Sequence, residues 1–171
     1  MNYRRIPTLL LASALLLAAW GCRQGCVNQD ALEAVTGYGT LRFGDTLAEV
    51  QQQFGSPVQT QKDGEFDVYF WRLTNDPLCR ELSAAVAGGD IGVVNIDCKI
   101  KDGFSINDIV SSLTDKYGVP ENVSGARVWQ GVKKDVIFSV SPEHALHVAY
   151  VDKELTTKAQ ADHRNGIKSN L

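Results

Sequence analysis

The chain has 171 residues, of which 44% are hydrophobic and 22% charged, and its formal net charge is −3. That length and apolar content suit one ordinary domain with its own core. Mild acidity, with no block of like charge and no low-complexity run, argues against a nucleic-acid partner.

The first 21 residues read as a leader and not as part of the fold. Arg4 and Arg5 give a positive start, and an uncharged stretch from Thr8 to Ala19 follows. About a dozen residues make a secretory h-region, whereas a bilayer span needs roughly 20. Ala19-Trp20-Gly21-Cys22 then resembles a bacterial lipobox, a small residue before a cysteine that becomes diacylated; Ala19 stands where leucine is usual, and Trp20 is bulky. Lipidation at Cys22 is the expectation; the alternative is ordinary cleavage nearby that leaves Cys22 a thiol. Two or more acyl chains hold a protein firmly to a membrane. Arg23, in place of Asp, points to the outer membrane. Cleavage leaves 150 residues of charge −5, because Arg4 and Arg5 go. Residues 22–39 are then a lipid-anchored tether, with one small helix around Asp30 to Val35.

An internal repeat comes next. GDTLAEVQQQFGSP runs from Gly44 to Pro57, and GFSINDIVSSLTDKYGVP from Gly103 to Pro120. Thr46 and Ser105 are placed as helix N-caps, with Glu49 and Asp108 three residues on to complete a capping box or its near equivalent. Apolar residues recur at helical spacing: Leu47, Val50 and Phe54 in one copy, Ile106, Ile109, Val110, Leu113 and Tyr117 in the other. Gly55 and Gly118 suit a left-handed stop, and Pro57 and Pro120 block continuation. The same punctuation twice suggests duplication.

Strands are predicted after each helix. In the first half they are Phe66 to Leu73, Leu78 to Ala87 and Asp90 to Ile100, the last two flanking a Gly88-Gly89 hairpin signal. In the second half, Ala126 to Gln130, Asp135 to Val140 and Ala145 to Val151 read as a three-stranded meander. A hairpin centred on Gly88-Gly89 puts Cys79 opposite Cys98, and Arg80 opposite Asp97 on the other face. Opposed residues fall within disulfide range, and such a bond contributes on the order of 3 kcal/mol. The alternatives are two reduced, buried cysteines, or a helical segment from Cys79 to Ala87. An exported protein permits the bond, and Cys26 is then left without a partner. The whole pattern predicts an α+β fold of two tandem helix-plus-antiparallel-sheet modules, 40–101 and 102–152. A polar tail, 153–171, is expected as a loosely held helix.

LRFGDTLAEVQQQFGSPVQTQ followed by VYFWR resembles the outer-membrane lipoproteins of the BamE (SmpA/OmlA) type. Leu41, Arg42, Gly44, Thr46, Val50, Phe54, Gly55 and Pro57 carry the match, and Asp45 departs by replacing the usual Met. The resemblance covers Leu41 to Leu73. Two such modules in tandem are also similar to the β-lactamase inhibitor protein fold, in which paired modules form a concave sheet that grips an enzyme. The resemblance implies binding or scaffolding, and catalysis is a property of neither family.

The residues agree with that. His144 and His147 are three apart, so in a strand they fall on opposite faces and make no ligand pair. The sequence has no Gly-x-Ser-x-Gly elbow and no phosphate-binding loop ending in Lys-Ser/Thr. The expectations are therefore no enzyme, no cofactor and no metal. The expected function is a protein-binding module at the periplasmic side of the outer membrane, a scaffold for an envelope partner. The alternative is an inhibitor or immunity lipoprotein that blocks a periplasmic enzyme. Tyr69, Trp71 and Trp129 are the candidate partner-binding residues, since aromatic side chains are enriched at interface hot spots. The competing role for Trp71 and Trp129 is to pack each helix onto the sheet.

Overall fold

A computed structural model describes residues 27–88 and 91–169, and side chains as far as residue 165. The leader, Cys22, Arg23 and Cys26 lie outside the described residues, as does Gly89 of the predicted turn.

Both repeated helices form where the punctuation places them. Helix α2 (Leu47–Phe54) opens with a full capping box: the Thr46 hydroxyl accepts the Glu49 N–H, and the Glu49 carboxylate accepts the Thr46 N–H at 2.8 Å. Helix α3 (Ile106–Tyr117) opens with Ser105, whose hydroxyl accepts the Asp108 N–H at 3.1 Å. Each cap satisfies a donor that the first turn leaves without an intrahelical partner, and the box at α2 satisfies a second at Thr46. The stops depart from the expected left-handed cap. Gly55 has φ 78° and ψ −165°, and Gly118 has φ 84° and ψ −161°. The positive φ is as predicted, but ψ is extended. The two glycines share this glycine-only conformation. Each cap carbonyl also accepts an indole N–H, Trp71 to Gly55 at 3.0 Å and Trp129 to Gly118 at 2.7 Å. The duplicated punctuation thus extends to the same backbone angles and the same indole bond.

Each module holds four strands, one more than predicted. The first has β3 (Gln59–Asp63), β4 (Phe66–Arg72), β5 (Cys79–Ala87) and β6 (Gly92–Ile100); the second has β7 (Glu121–Val123), β8 (Ala126–Gln130), β9 (Lys134–Val140) and β10 (Leu146–Asp152). The unpredicted β3 and β7 are polar and exposed, so they lack the apolar alternation that marks a strand. All eight join in one antiparallel sheet, ordered β3-β4-β5-β6-β10-β9-β8-β7. The order is the same read from either edge, and the fourth strands of the two modules meet in the middle. The α+β fold of two tandem helix–sheet modules is the architecture observed.

Helices α1 (Gln29–Glu33), α2 and α3 share one face of the sheet with a short hairpin, β1 (Gly37–Tyr38) and β2 (Leu41–Arg42). The main core lies between them: Leu32, Leu41, Val50, Trp71, Leu82, Ile96, Ile109, Tyr117, Trp129 and Phe138. A smaller core on the other face joins Phe66, Ala85, Ala87, Ile91 and Val94 to Ala159 and Leu155 of α4 (Lys153–Ser169). The tail is therefore docked where its first turns meet the sheet. Asp152 caps it by accepting the Leu155 N–H at 3.0 Å, and Lys153 pairs with Asp135 at 3.0 Å. The expected tether is likewise integrated from residue 27 onward. Asn28 donates its N–H to the Tyr117 carbonyl, and Glu33 accepts from the Lys133 N–H, both at 2.8 Å, so α1 seals the second module.

Candidate functional site: the open face of the sheet

The structure divides the predicted site residues. Trp71 (1% exposed) and Trp129 (0%) are sealed under α2 and α3, each in the second strand after its helix. They are packing residues, and the expectation that they contact a partner is corrected: a side chain with no exposed surface cannot form one. Tyr69 is half-buried on the same face, its ring 6.1 Å from that of Trp71. It lines a shallow cleft of about 220 Å³ with Leu47, Asp67 and Val86.

The predicted hairpin register is also corrected. Cys79 lies opposite Ile100 and Cys98 opposite Leu82, while Asp97 lies opposite Ser83 and not Arg80. The offset starts at the turn, where Ala87 pairs with Gly92, two positions beyond the partner that a centre at Gly88-Gly89 gives it; an extra residue on β6, Val94, adds one more position, and an extra residue on β5, Arg80, takes that one back before Cys79. Such bulges twist a strand and re-aim side chains. Arg80 instead pairs with Asp102 at 2.9 Å. Cys79 and Cys98 are present as two buried thiols, on the helix-covered face and diagonal to one another. Contact with the Cys79 thiol, together with burial, pushes the Cys98 thiol up from its ordinary value. The Cys79 thiol donates to the Glu81 carbonyl at 3.0 Å. Beside them the Tyr38 hydroxyl donates to Asp76 at 2.9 Å, and the same carboxylate oxygen accepts the N–H groups of Leu78 and Cys79.

On the opposite face of the sheet, beyond the reach of α4, no element covers the strands among the described residues. Alternation places Phe70 of β4, Ser83 of β5, Asp97 and Lys99 of β6, His147 and Ala149 of β10, Ile137 and Ser139 of β9, and Val128 of β8 on it. Phe70, Val128 and Ile137 are half-buried, and Arg72 and Glu81 oppose one another nearby. At the seam between modules, Asp97 Oδ2 lies 2.8 Å from His147 Nδ1. Asp97 is only 9% exposed, and its Oδ1 has no hydrogen-bond partner among the described residues; nor has the buried Asn95 Oδ1, two residues along the same strand. His147 lies half-buried in β10, and His144 in the turn before it, with φ 61°.

Sequence reasoning missed this pair, because it depends on β6 meeting β10 across 50 residues. The available signal was the alternation in β6, where Asn95, Asp97 and Lys99 interleave with Ile96, Cys98 and Ile100. That pattern marks one face of a central strand as something other than core.

No family model matches the chain, and no curated protein matches it. Among solved structures it is similar to a DUF4309 family protein, YjgB, from Bacillus subtilis, at 16% identity and a TM-score of 0.48, covering 72% of this chain and 90% of that one. It is also similar to a cysteine-rich secretory protein, SAV1118, from Staphylococcus aureus, at 9% identity and a TM-score of 0.40, covering 66% of this chain and 45% of that one. Nothing in these similarities links the chain to the BamE-type lipoproteins or to the β-lactamase inhibitor protein.

Proposed function

We propose that this chain is a lipid-anchored protein of the outer membrane, facing the periplasm, that binds an envelope protein through the open face of its sheet. The leader and the Ala19-Trp20-Gly21-Cys22 sequence support the anchor. The observation that carries the binding role is a sheet face that no helix covers among the described residues, on which Phe70 of β4 and, four strands away, the adjacent pair Ile137 of β9 and Val128 of β8 are half-buried apolar side chains. Ser83, Asp97 and Ala149 lie between them, and Arg72, Glu81 and Lys99 form part of the next row on the same face. Apolar side chains interspersed with polar ones on an uncovered face suit a protein interface, which as a whole is only about as apolar as the rest of a protein surface. Beyond the area under α4 this face carries Phe70 as its one phenyl, indole or phenol ring among the described residues. That favours a scaffold over an enzyme-gripping inhibitor, which would present several aromatic anchors.

A photoreactive amino acid placed at Phe70 or at Ile137, in intact envelopes, should give a discrete protein adduct. The same group at exposed Gln52 on α2 should not. Equal adducts from all three positions, or none from the sheet, would refute the reading. Cys22→Ser should move the protein from the membrane to the soluble periplasmic fraction.

A further inference from the structure

We propose that the corner of the second module that carries Val119 and Val132 is the surface on which this protein sits against the bilayer holding its own lipid. The proposal rests on the anchor at Cys22 and fixes which way the domain stands on it.

The place where the chain enters the fold sets the geometry. Val27 and Gly118 form an antiparallel bridge, and Asn28 donates its N–H to the Tyr117 carbonyl at 2.8 Å. The Asn28 side chain donates to the Lys116 carbonyl at 3.4 Å, and that of Gln29 to the Gln130 carbonyl at 3.1 Å. The entry is thus pinned at the C-terminal end of α3, and the antiparallel sense of the bridge brings the chain in from the side of Val119. Cys22 precedes Val27 by five residues, and five residues span at most about 18 Å when fully extended. An acylated Cys22 therefore holds this corner within that distance of the membrane.

The corner offers apolar side chains to it. Val119 is 55% exposed, and Val132, in the turn between β8 and β9, is 77% exposed. Glu121 pairs with Val128, a register that puts Val119 level with Gln130. Both valines therefore lie at the end of the second module where the chain enters. The charges beside them are mixed: Lys116 has exposed Asp115 and Glu121 near it in the chain, and Lys133 pairs with Glu154 at 3.2 Å. Contact then depends on burying the valines among headgroups and upper acyl chains rather than on lipid charge. Two valines alone would hold a bilayer weakly, but a lipid on the same short segment keeps them beside it at high effective concentration.

Val58, 60% exposed, is the natural control. It precedes β3, the opposite edge of the eight-stranded sheet, and donates its N–H to the Phe70 carbonyl. At about 4.8 Å per strand the two edges are on the order of 30 Å apart, well beyond the reach of the tether. A domain standing on the Val119 corner keeps the open face of the sheet clear of lipid, where a partner can reach it.

The test uses the mature, lipidated chain in vesicles of phosphatidylethanolamine and phosphatidylglycerol that include a lipid with a nitroxide on its headgroup. A genetically encoded fluorescent amino acid is placed at Val119, Val132 or Val58, one at a time. Quenching at Val119 and at Val132 should exceed that at Val58 at least threefold. Val132→Glu should reduce the quenching at Val119 at least twofold, without lowering the unfolding midpoint or the fraction that floats with the vesicles. That variant separates seating from mere nearness to the lipid. Equal quenching at the three positions, quenching strongest at Val58, or quenching at Val119 untouched by Val132→Glu would overturn the proposal. Flotation keeps the two readings apart. A chain that floats and fails the quenching test refutes the seating alone, whereas one that does not float refutes the anchor and the seating with it.

Discussion

Replacing Gly55 by alanine isolates one physical term. A Cβ built there meets no heavy atom within 4 Å, so steric packing contributes nothing to the cost. What remains is the backbone: φ 78° with ψ −165° is a region that only glycine occupies freely. Holding alanine there costs about 1–3 kcal/mol. A domain of this size loses roughly 2–4 °C per kcal/mol, so the midpoint should fall on the order of 3–10 °C. Urea unfolding of the mature chain at neutral pH, followed by tryptophan fluorescence, reads the same loss as a lower midpoint with unchanged slope. Gly55→Asn separates the observed cap from the left-handed one expected of the sequence. Asparagine tolerates the left-handed helical region and would recover most of the loss there. At an extended ψ it gains nothing, so both variants should be destabilised alike. An alanine variant within 0.3 kcal/mol of the parent, a bound set well below the range just argued, or a rescue by asparagine, would refute the reasoning.

Trp129→Phe removes the 2.7 Å indole bond to the Gly118 carbonyl and leaves a space under α3; a loss of about 2–4 kcal/mol is expected by denaturant titration. Trp71→Phe should lose a comparable amount through Gly55, and an effect below 0.5 kcal/mol, half of what a typical net hydrogen bond contributes, would deny the indole bonds their role. Burial works to raise the Asp76 carboxyl, but the N–H groups of Cys79 and Leu78, the Tyr38 hydroxyl and the Lys101 charge outweigh it and hold it below its ordinary value of 3.8. Its stabilising contribution is therefore full above that value and is lost as pH falls through the depressed one. Asp76→Asn should be less stable than the parent at pH 7, with the gap closing in acid; a gap that stays constant between pH 7 and pH 2 would contradict this.

The helices were legible because their signals are local. Thr46 with Glu49, Ser105 with Asp108, and the two glycines each act within a turn or two of chain. The unpredicted strands β3 and β7 are edge strands, held by one neighbour and free to be polar on both faces. The hairpin failed differently: its strands were right and its register was not. The pairing is centred one residue beyond Gly88-Gly89, and neither that offset nor the bulge at Val94 leaves a mark in the hydrophobic pattern, so symmetry about Gly88-Gly89 misplaced Cys79, Arg80 and Asp97. Tyr69 and Trp71, two apart on one strand, share a face, but which face the helices cover is decided by tertiary packing. The Asp97–His147 pair lay furthest from reach, since each residue comes from a different module.

The symmetric strand order has a consequence for how such a protein can specialise. One module alone would expose the hydrophobic edge of its fourth strand, which is a template for pairing with another chain. Two identical copies meeting there around a two-fold axis would close the same eight strands as a homodimer, each residue at the joint then occurring twice. Held in one polypeptide, the halves meet at a high effective concentration whatever the protein's abundance. They are also released from identity. One half can bring an acid and the other an imidazole to a single joint, as Asp97 and His147 do. A two-fold dimer could only duplicate such a pair; the fused chain can present one, with a direction.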